Sequence, residues 1–388
     1  MHFKRSLASA AAAALFAAGA AQAAQVSLYG SISTGLVLTH SDSLSTEGDP
    51  DASVRRSTSL GMESAWYGDS IWGITGEEDL GGGWSVGFTL ENEYGSDTGE
   101  LATENTLFDS QSYLRIGNGT VNIAAGNLGG LASAGGDFDL VGGFDPLEAA
   151  FGVGGMGAFA TRDYMSANSA VVEVTPAEGL KLSAMGSFGE SDSEAHWSKR
   201  THYYGIGALY EAGGFAAALV GEMLDYDNSA RSSASGDLDN AYFVTLGLSY
   251  DFGFVKPMFM YQHAEHARTF QGEHLTDDSG SFSAGDFKVD SFLLGATAPL
   301  AGGTVMASAQ YLKAKNQESG AKGEAYILGA AYTYELSKRT TLYTGATYAA
   351  GRKGLDADLD ANDAEYGDFG DRAALNGWQF GFGINHTF

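Results

Sequence analysis

Three observations predict an all-β chain closed into a 16-stranded antiparallel transmembrane β-barrel. Sixteen segments rich in Tyr, Phe, Thr and Val alternate apolar with small or polar residues, the period of a strand. The connections alternate too: short turns at one end, long and mostly acidic stretches at the other, which is the plan of a membrane barrel. Charged residues also stand in mid-strand on the polar parity. They would be costly inside a small soluble sandwich and cost little beside a water-filled lumen.

The elements run as follows. Lys4 and Arg5, an apolar run from Leu7 to Ala20, and Ala21-Gln22-Ala23 read as a secretory signal peptide over 1–23. Residues 24–388 then form a single barrel domain, and no later segment holds eighteen consecutive apolar residues. The first strand is expected near 26–39. A long connection, 40–69, leads to strands near 70–78 and 83–94, joined at Asp79-Leu80-Gly81-Gly82. In the second of these Trp84, Val86, Phe88, Leu90 and Tyr94 oppose Ser85, Gly87, Thr89, Glu91 and Glu93. Strands near 107–117 and 119–126 follow, turning at Gly117-Asn118-Gly119. The longest connection, 127–166, precedes strands near 167–175 and 179–190, where Leu182, Ala184, Gly186 and Phe188 oppose Lys181, Ser183, Met185 and Ser187. Four further pairs are expected: 200–212 with 214–226, 241–252 with 254–267, 286–299 with 303–316, and 322–336 with 339–352. The last strand, 375–388, carries Trp378, Phe380, Phe382, Ile384, His386 and Phe388 on one parity.

Composition excludes several classes of function. The net charge is −27, or −29 without Lys4 and Arg5 (19 basic residues against 48 acidic), so phosphate backbones are repelled and nucleic acid is no partner. There is no cysteine, hence no disulfide or thiolate metal site. Proline is scarce at 5 residues, which suits unbroken ladders. No G-x-S-x-G or triad context is present, so no enzyme is expected.

Three motifs fail on context. Gly152 to Gly157 matches G-x-G-x-x-G without a strand before it or a helix after it, and reads as a flexible part of the long connection. His263 and His266, three apart on a strand, point to opposite faces and cannot share a metal without a bulge; one lumen and one interfacial residue are expected. The run 356–371 begins like a calcium loop at Asp356, Asp358 and Asp360. It has Ala361 where glycine is needed and Gly367 where glutamate is needed, leaving diffuse attraction of divalent cations and no specific cofactor.

"VSLYGSISTGL" (26–36), "WGITGEEDLGGGWSVGFTLENEY" (72–94), "LFDSQSYLRIGNGTVNIAAGN" (107–127), "NSAVVEVTPAEGLKLSAMGSFGE" (168–190) and the closing "GFGINHTF" resemble the Gram-negative general porins of the β-proteobacterial type. The resemblance spans the chain from first strand to last. It implies a homotrimer in the outer membrane, contacts with its lipid and lipopolysaccharide, and a third long loop folded into the pore. It also implies that the terminal Phe388 is read by the barrel-assembly machinery. In one place the chain departs: where the family commonly shows G-T-V-x-x-G-R, Ala125 stands in the place of the constriction arginine.

The loop 127–166 is the candidate site. It carries Asp137, Asp139, Asp145, Glu148 and Asp163 against Arg162, and folded inward it would form a negative constriction. "DPLEAAF" reads as a short helix capped by Asp145 and Glu148, which leaves Asp137, Asp139 and Asp163 as the pore charges. Arg115, Lys181, Glu91 and Glu93 should face inward, the two bases either as a positive wall or as members of lumen salt bridges. The expected function is passive diffusion of small hydrophilic solutes and ions with cations preferred. A substrate-selective porin and a plugged barrel with an adhesive or structural role are the alternatives.

Overall fold

Alternation gives every strand two faces, and a computed structural model shows where each face goes. It describes residues 25–45, 53–161, 165–189, 201–226, 239–267, 269–270, 286–317, 320, 322–353 and 376–388. The signal peptide, Arg162, Asp163 and the acidic run 356–371 lie outside the described residues. The strands are β1 (Gln25–Ser45), β2 (Ser53–Ser64), β3 (Ile71–Gly81), β4 (Trp84–Glu93), β5 (Gln111–Gly117), β6 (Val121–Gly129), β7 (Ala160–Thr161), β8 (Met165–Ala177) and β9 (Leu180–Ser187). They continue as β10 (His202–Ala212), β11 (Phe215–Asp225), β12 (Ala241–Tyr250), β13 (Lys256–Ala267), β14 (Thr269–Phe270), β15 (Phe287–Leu300), β16 (Gly303–Asn316), β17 (Lys322–Ser337), β18 (Thr340–Lys353) and β19 (Asn376–Thr387).

Seventeen of these strands form one antiparallel sheet, closed where β1 pairs with β19. At the seam the Phe388 N–H donates to the Gly30 carbonyl at 2.9 Å. β2 and β3 share one place in the ring: β2 pairs with Thr34–Ser45 of β1 and β3 with Gln25–Ser31. The barrel therefore has sixteen strand positions, as expected, but its second strand is broken at residues 65–70. The expected loop 40–69 is corrected accordingly, since it contains the end of β1 and all of β2. Its strand pattern is weak because Ser57, Ser59 and Gly61 follow one another on one face, and on the other the exposed Arg56 and Thr58 leave Leu60 and Met62 as a short apolar pair. β7 and β14 make a separate two-stranded ladder that ties the end of the long loop to the segment after β13.

The apolar parity points out. Leu28, Leu114, Ile206, Leu219, Leu294, Leu328, Phe380 and Phe382 are all exposed, and so they face lipid. No helix among the described residues is long and apolar enough to cross a membrane, so the chain crosses with strands. The buried apolar cluster lies inside the ring, between the wall and the loop that follows β6. Wall positions Val220, Phe243, Met260, Leu293 and Ile327 face inward and are buried. The expected polar interior is thus apolar over this arc, because what meets it there is protein rather than water.

Candidate functional site

The loop between β6 and β7 is bound to the inner wall along its length. The Leu131 N–H donates to the Tyr203 hydroxyl at 2.9 Å, and the Phe151 N–H donates to the Trp66 carbonyl at 2.7 Å. Ala158 and Ala160 donate their N–H groups to Gln310 Oε1 and Gln262 Oε1 at 3.0 and 2.8 Å. In return Ser308 Oγ and Gln310 Nε2 donate to the Gly154 carbonyl at 2.9 and 2.6 Å, and Ser291 Oγ donates to the Ala158 carbonyl at 2.6 Å. Between these bonds Leu131, Phe138, Leu140, Phe144, Leu147, Phe151, Val153, Met156 and Phe159 are buried. Close approach requires small residues beneath them: a Cβ on Gly345 would stand 2.7 Å from the Phe151 ring. Gly152–Gly154 forms a short 3-10 turn in this packed region, so the expected flexible stretch is a seated one.

The loop carboxylates divide into two kinds. Asp137 is exposed; the Tyr113 hydroxyl donates to it, and its own N–H donates to Gln111 Oε1 at 3.0 Å. Glu148 is also exposed, accepts a hydrogen bond from the Tyr67 hydroxyl, and has Lys256 nearby. Asp139, in contrast, accepts backbone N–H groups from Ala134, Val141 and Gly142 at 2.9, 3.1 and 2.5 Å. It organises the loop's own turn, which corrects its expected part as a free pore charge. Asp145 is buried and accepts from Leu147 and Ala149 at 3.0 and 2.8 Å; burial pushes its carboxyl up to about 6, against the pull of those two N–H groups. The expected helix over "DPLEAAF" does not form. Residues 146–149 make a turn, and Glu148 and Ala149 are left-handed at φ 56° and 55°. The capping bonds of Asp145 survive without a helix to cap.

The wall beside the loop carries paired charges. Arg115 stands 2.7 Å from Glu77, and Lys181 stands 3.5 Å from Glu173. Both bases face inward, as their parity predicted, and both fit the salt-bridge reading. Glu91 accepts from the Tyr29 hydroxyl at 2.7 Å and from Ser110 Oγ at 2.6 Å; Glu93 shares its inward parity. Ala125 does not face the lumen. It pairs with the exposed Leu114 on the outward side, so the missing arginine removes no pore charge at that position. Sequence reasoning missed Glu77, Glu173, Glu222 and Lys256 as lumen residues. Parity would have found each of them: Lys256 falls in step with Met258, Met260 and Gln262, and its Nζ reaches the Gly143 carbonyl at 3.3 Å.

A bulge between Ala264 and Ala267 breaks the register at His266, while His263 stays in register opposite Asp290. His263 faces outward with its Nδ1 2.8 Å from Asp290, and His266 Nδ1 lies 2.8 Å from Asp286. Asp239, His266 and Asp286 offer ligand atoms within 4.8 Å of one another, a set that could hold a divalent cation.

Comparison with known proteins agrees with this architecture. The profile of a family described as Gram-negative porin matches residues 8–354. The chain is similar to an outer membrane porin protein of Bordetella pertussis, at 31% identity over 373 residues, covering 87% of this chain and 93% of that one. Among solved structures it resembles the anion-selective porin from Comamonas acidovorans (23% identity, TM-score 0.61, 94% of this chain and 100% of that one). It also resembles OmpT of Vibrio cholerae in its trimer form (14% identity, TM-score 0.61, 95% and 100%).

Proposed function

Because the chain belongs to the Gram-negative porin family and sits in the outer membrane, we propose that it forms a water-filled channel through which small hydrophilic solutes and ions diffuse passively, with cations preferred. The observation that carries the preference is the excess of inward carboxylates. Among the described residues Glu77, Glu91, Glu93, Asp137, Glu148, Glu173 and Glu222 face the interior against Arg115, Lys181 and Lys256. Two of those bases are already held by Glu77 and Glu173. In a narrow lumen with low-dielectric walls such an excess raises the local cation concentration. The Comamonas porin is named for the opposite preference, but at 23% identity the likeness is one of fold, and the sign has to come from this chain's own charges.

The test is current across a planar bilayer under a salt gradient. A reversal potential on the cation side supports the reading, and Asp137→Asn with Glu148→Gln should move it toward zero. A potential on the anion side in the unaltered protein would overturn the preference, and absence of any current from folded barrels would overturn the channel. A trimer form is recorded for the Vibrio relative, and the same assembly is proposed for this chain. Light scattering in detergent giving a single-chain mass would count against it.

A further inference from the structure

The outward face of β15, β16 and β17 carries four ordered rows at the end of the barrel where the connections are long. Aliphatic Leu294 and Leu328 stand deepest, 64% and 53% exposed. Next outward lies an aromatic row: Tyr261 pairs with Phe292, Phe292 with Tyr311 and Tyr311 with Tyr326, at ring separations of 4.9, 6.4 and 5.1 Å. Such a row marks the membrane–water interface. Two residues further, a row of alternating charge runs from Asp290 to Lys313, Glu324 and Arg352, with the Arg352 guanidinium 5.6 Å from the Tyr326 ring. Beyond it comes a row of a single sign: Lys288 pairs with Lys315, and Lys315 with Lys322.

That last row is unfavourable as it stands. Like charges directly opposite one another across a ladder repel. Lys288 has Glu265 at 2.6 Å, but Lys315 and Lys322 make no ion pair among the described residues. The chain has only 21 basic residues and a net charge of −27, yet five of the bases gather here. Successive rows are about 7 Å apart along the strands, so the lysines lie roughly 13 Å beyond the aromatic row, at headgroup level.

We propose that this face is a docking site for a phosphate-bearing lipid of the outer leaflet. The phosphate lies between Lys288, Lys315 and Lys322, and the acyl chains run down over the aromatic row onto Leu294 and Leu328. The order of the rows selects a lipid over a free anion, because phosphate-binding groups and chain-binding groups follow one another along the same three strands in the sequence a lipid presents them.

Native mass spectrometry of the folded barrel in neutral detergent tests the site, with phosphatidic acid, phosphatidylcholine and inorganic phosphate as separate probes. Phosphatidic acid should be retained and phosphatidylcholine released. Lys315→Gln with Lys322→Gln should weaken retention about thirtyfold, and each change alone about fivefold. The single variants keep the test decisive should the double variant misfold. Lys338→Gln with Arg339→Gln, two exposed bases at the short-turn end, should change nothing. Equal retention by the lysine variants, or equal retention of phosphatidylcholine, would overturn the site. Displacement of the lipid by an equal concentration of inorganic phosphate would overturn the lipid as its occupant.

Discussion

Phe151 meets Trp66 twice: its N–H donates to the Trp66 carbonyl at 2.7 Å, and the two rings pack edge to face with centroids 5.2 Å apart. The contact joins the midpoint of the inward loop to the break in the second strand. Tyr67 stacks on the same phenylalanine at 5.1 Å and Tyr343 closes on it from β18 at 6.2 Å. Phe151 holds a left-handed backbone, φ 59°, as do Ala134, Glu148, Ala149 and Met156 along the loop. Non-glycine residues persist in that region only where their surroundings over-determine them. The loop is therefore a seated element with one conformation, and the break between β2 and β3 supplies part of its seat.

Phe151→Ala should unseat the middle of the loop while leaving the barrel intact. A buried phenylalanine truncated to alanine costs about 3–5 kcal/mol, here charged to docking because the ladders around the ring are untouched. Single-channel recording should show current that is larger on average and noisier, with the heat-induced unfolding of the barrel unchanged. A steady current of unaltered size would show that the wall hydrogen bonds alone hold the loop.

Gly345→Val should produce the same phenotype from the other side of the contact. A side chain there meets the Phe151 ring at 2.7 Å, and overpacking of this kind costs about 1–3 kcal/mol. Combining it with Phe151→Ala should restore part of the quiet current, because the new methyls fill the space the ring left. Strict additivity of the two changes would mean that they act at separate places.

What could be read from the sequence follows from period and parity. The strands, the closing seam and the inward aim of Arg115, Lys181 and Glu91 all rest on alternation, which needs nothing beyond the local chain. β2 escaped because the middle of its inner face, Ser57, Ser59 and Gly61, is serine and glycine, and such a stretch looks like a loop. The apolar arc of the wall escaped because its partner, the inward loop, is distant in sequence. Ala125 was placed in the lumen by its likeness to an arginine position; parity, counted from Arg115 through its partner Ala124, turns it outward. Asp139 could have been found, since Asp139-Leu140-Val141-Gly142 has the form of an Asx turn.

Asp137 and Asp139 should therefore behave differently, although two residues apart. Asp137→Asn removes an exposed charge and should move the reversal potential toward zero without altering current noise. Asp139→Ala strips the acceptor from three backbone N–H groups, at about 1–3 kcal/mol for each one left unsatisfied, and should raise noise with a smaller effect on ion preference. Reversed phenotypes would return Asp139 to the pore.

Seating of the loop should strengthen in acid through Asp145. Burial raises its carboxyl from 3.8 to about 6, so the seated loop prefers the protonated form. A group raised in this way contributes stability that is complete below the unseated value, near 4, and is lost as pH rises through 6. The difference corresponds to about 3 kcal/mol, enough to change the population of unseated loops by about a hundredfold. The frequency of excursions from the quiet current should accordingly fall between pH 7.5 and pH 4.5. Other carboxylates titrate over the same range, so the comparison that isolates this one is Asp145→Asn, which is neutral at every pH and still offers an amide oxygen to Leu147 or Ala149. Its excursions should be nearly independent of pH. A pH dependence identical to that of the unaltered protein would move the effect to Glu148, whose carboxyl is also raised because the surrounding protein displaces water from it, although the residue as a whole is exposed.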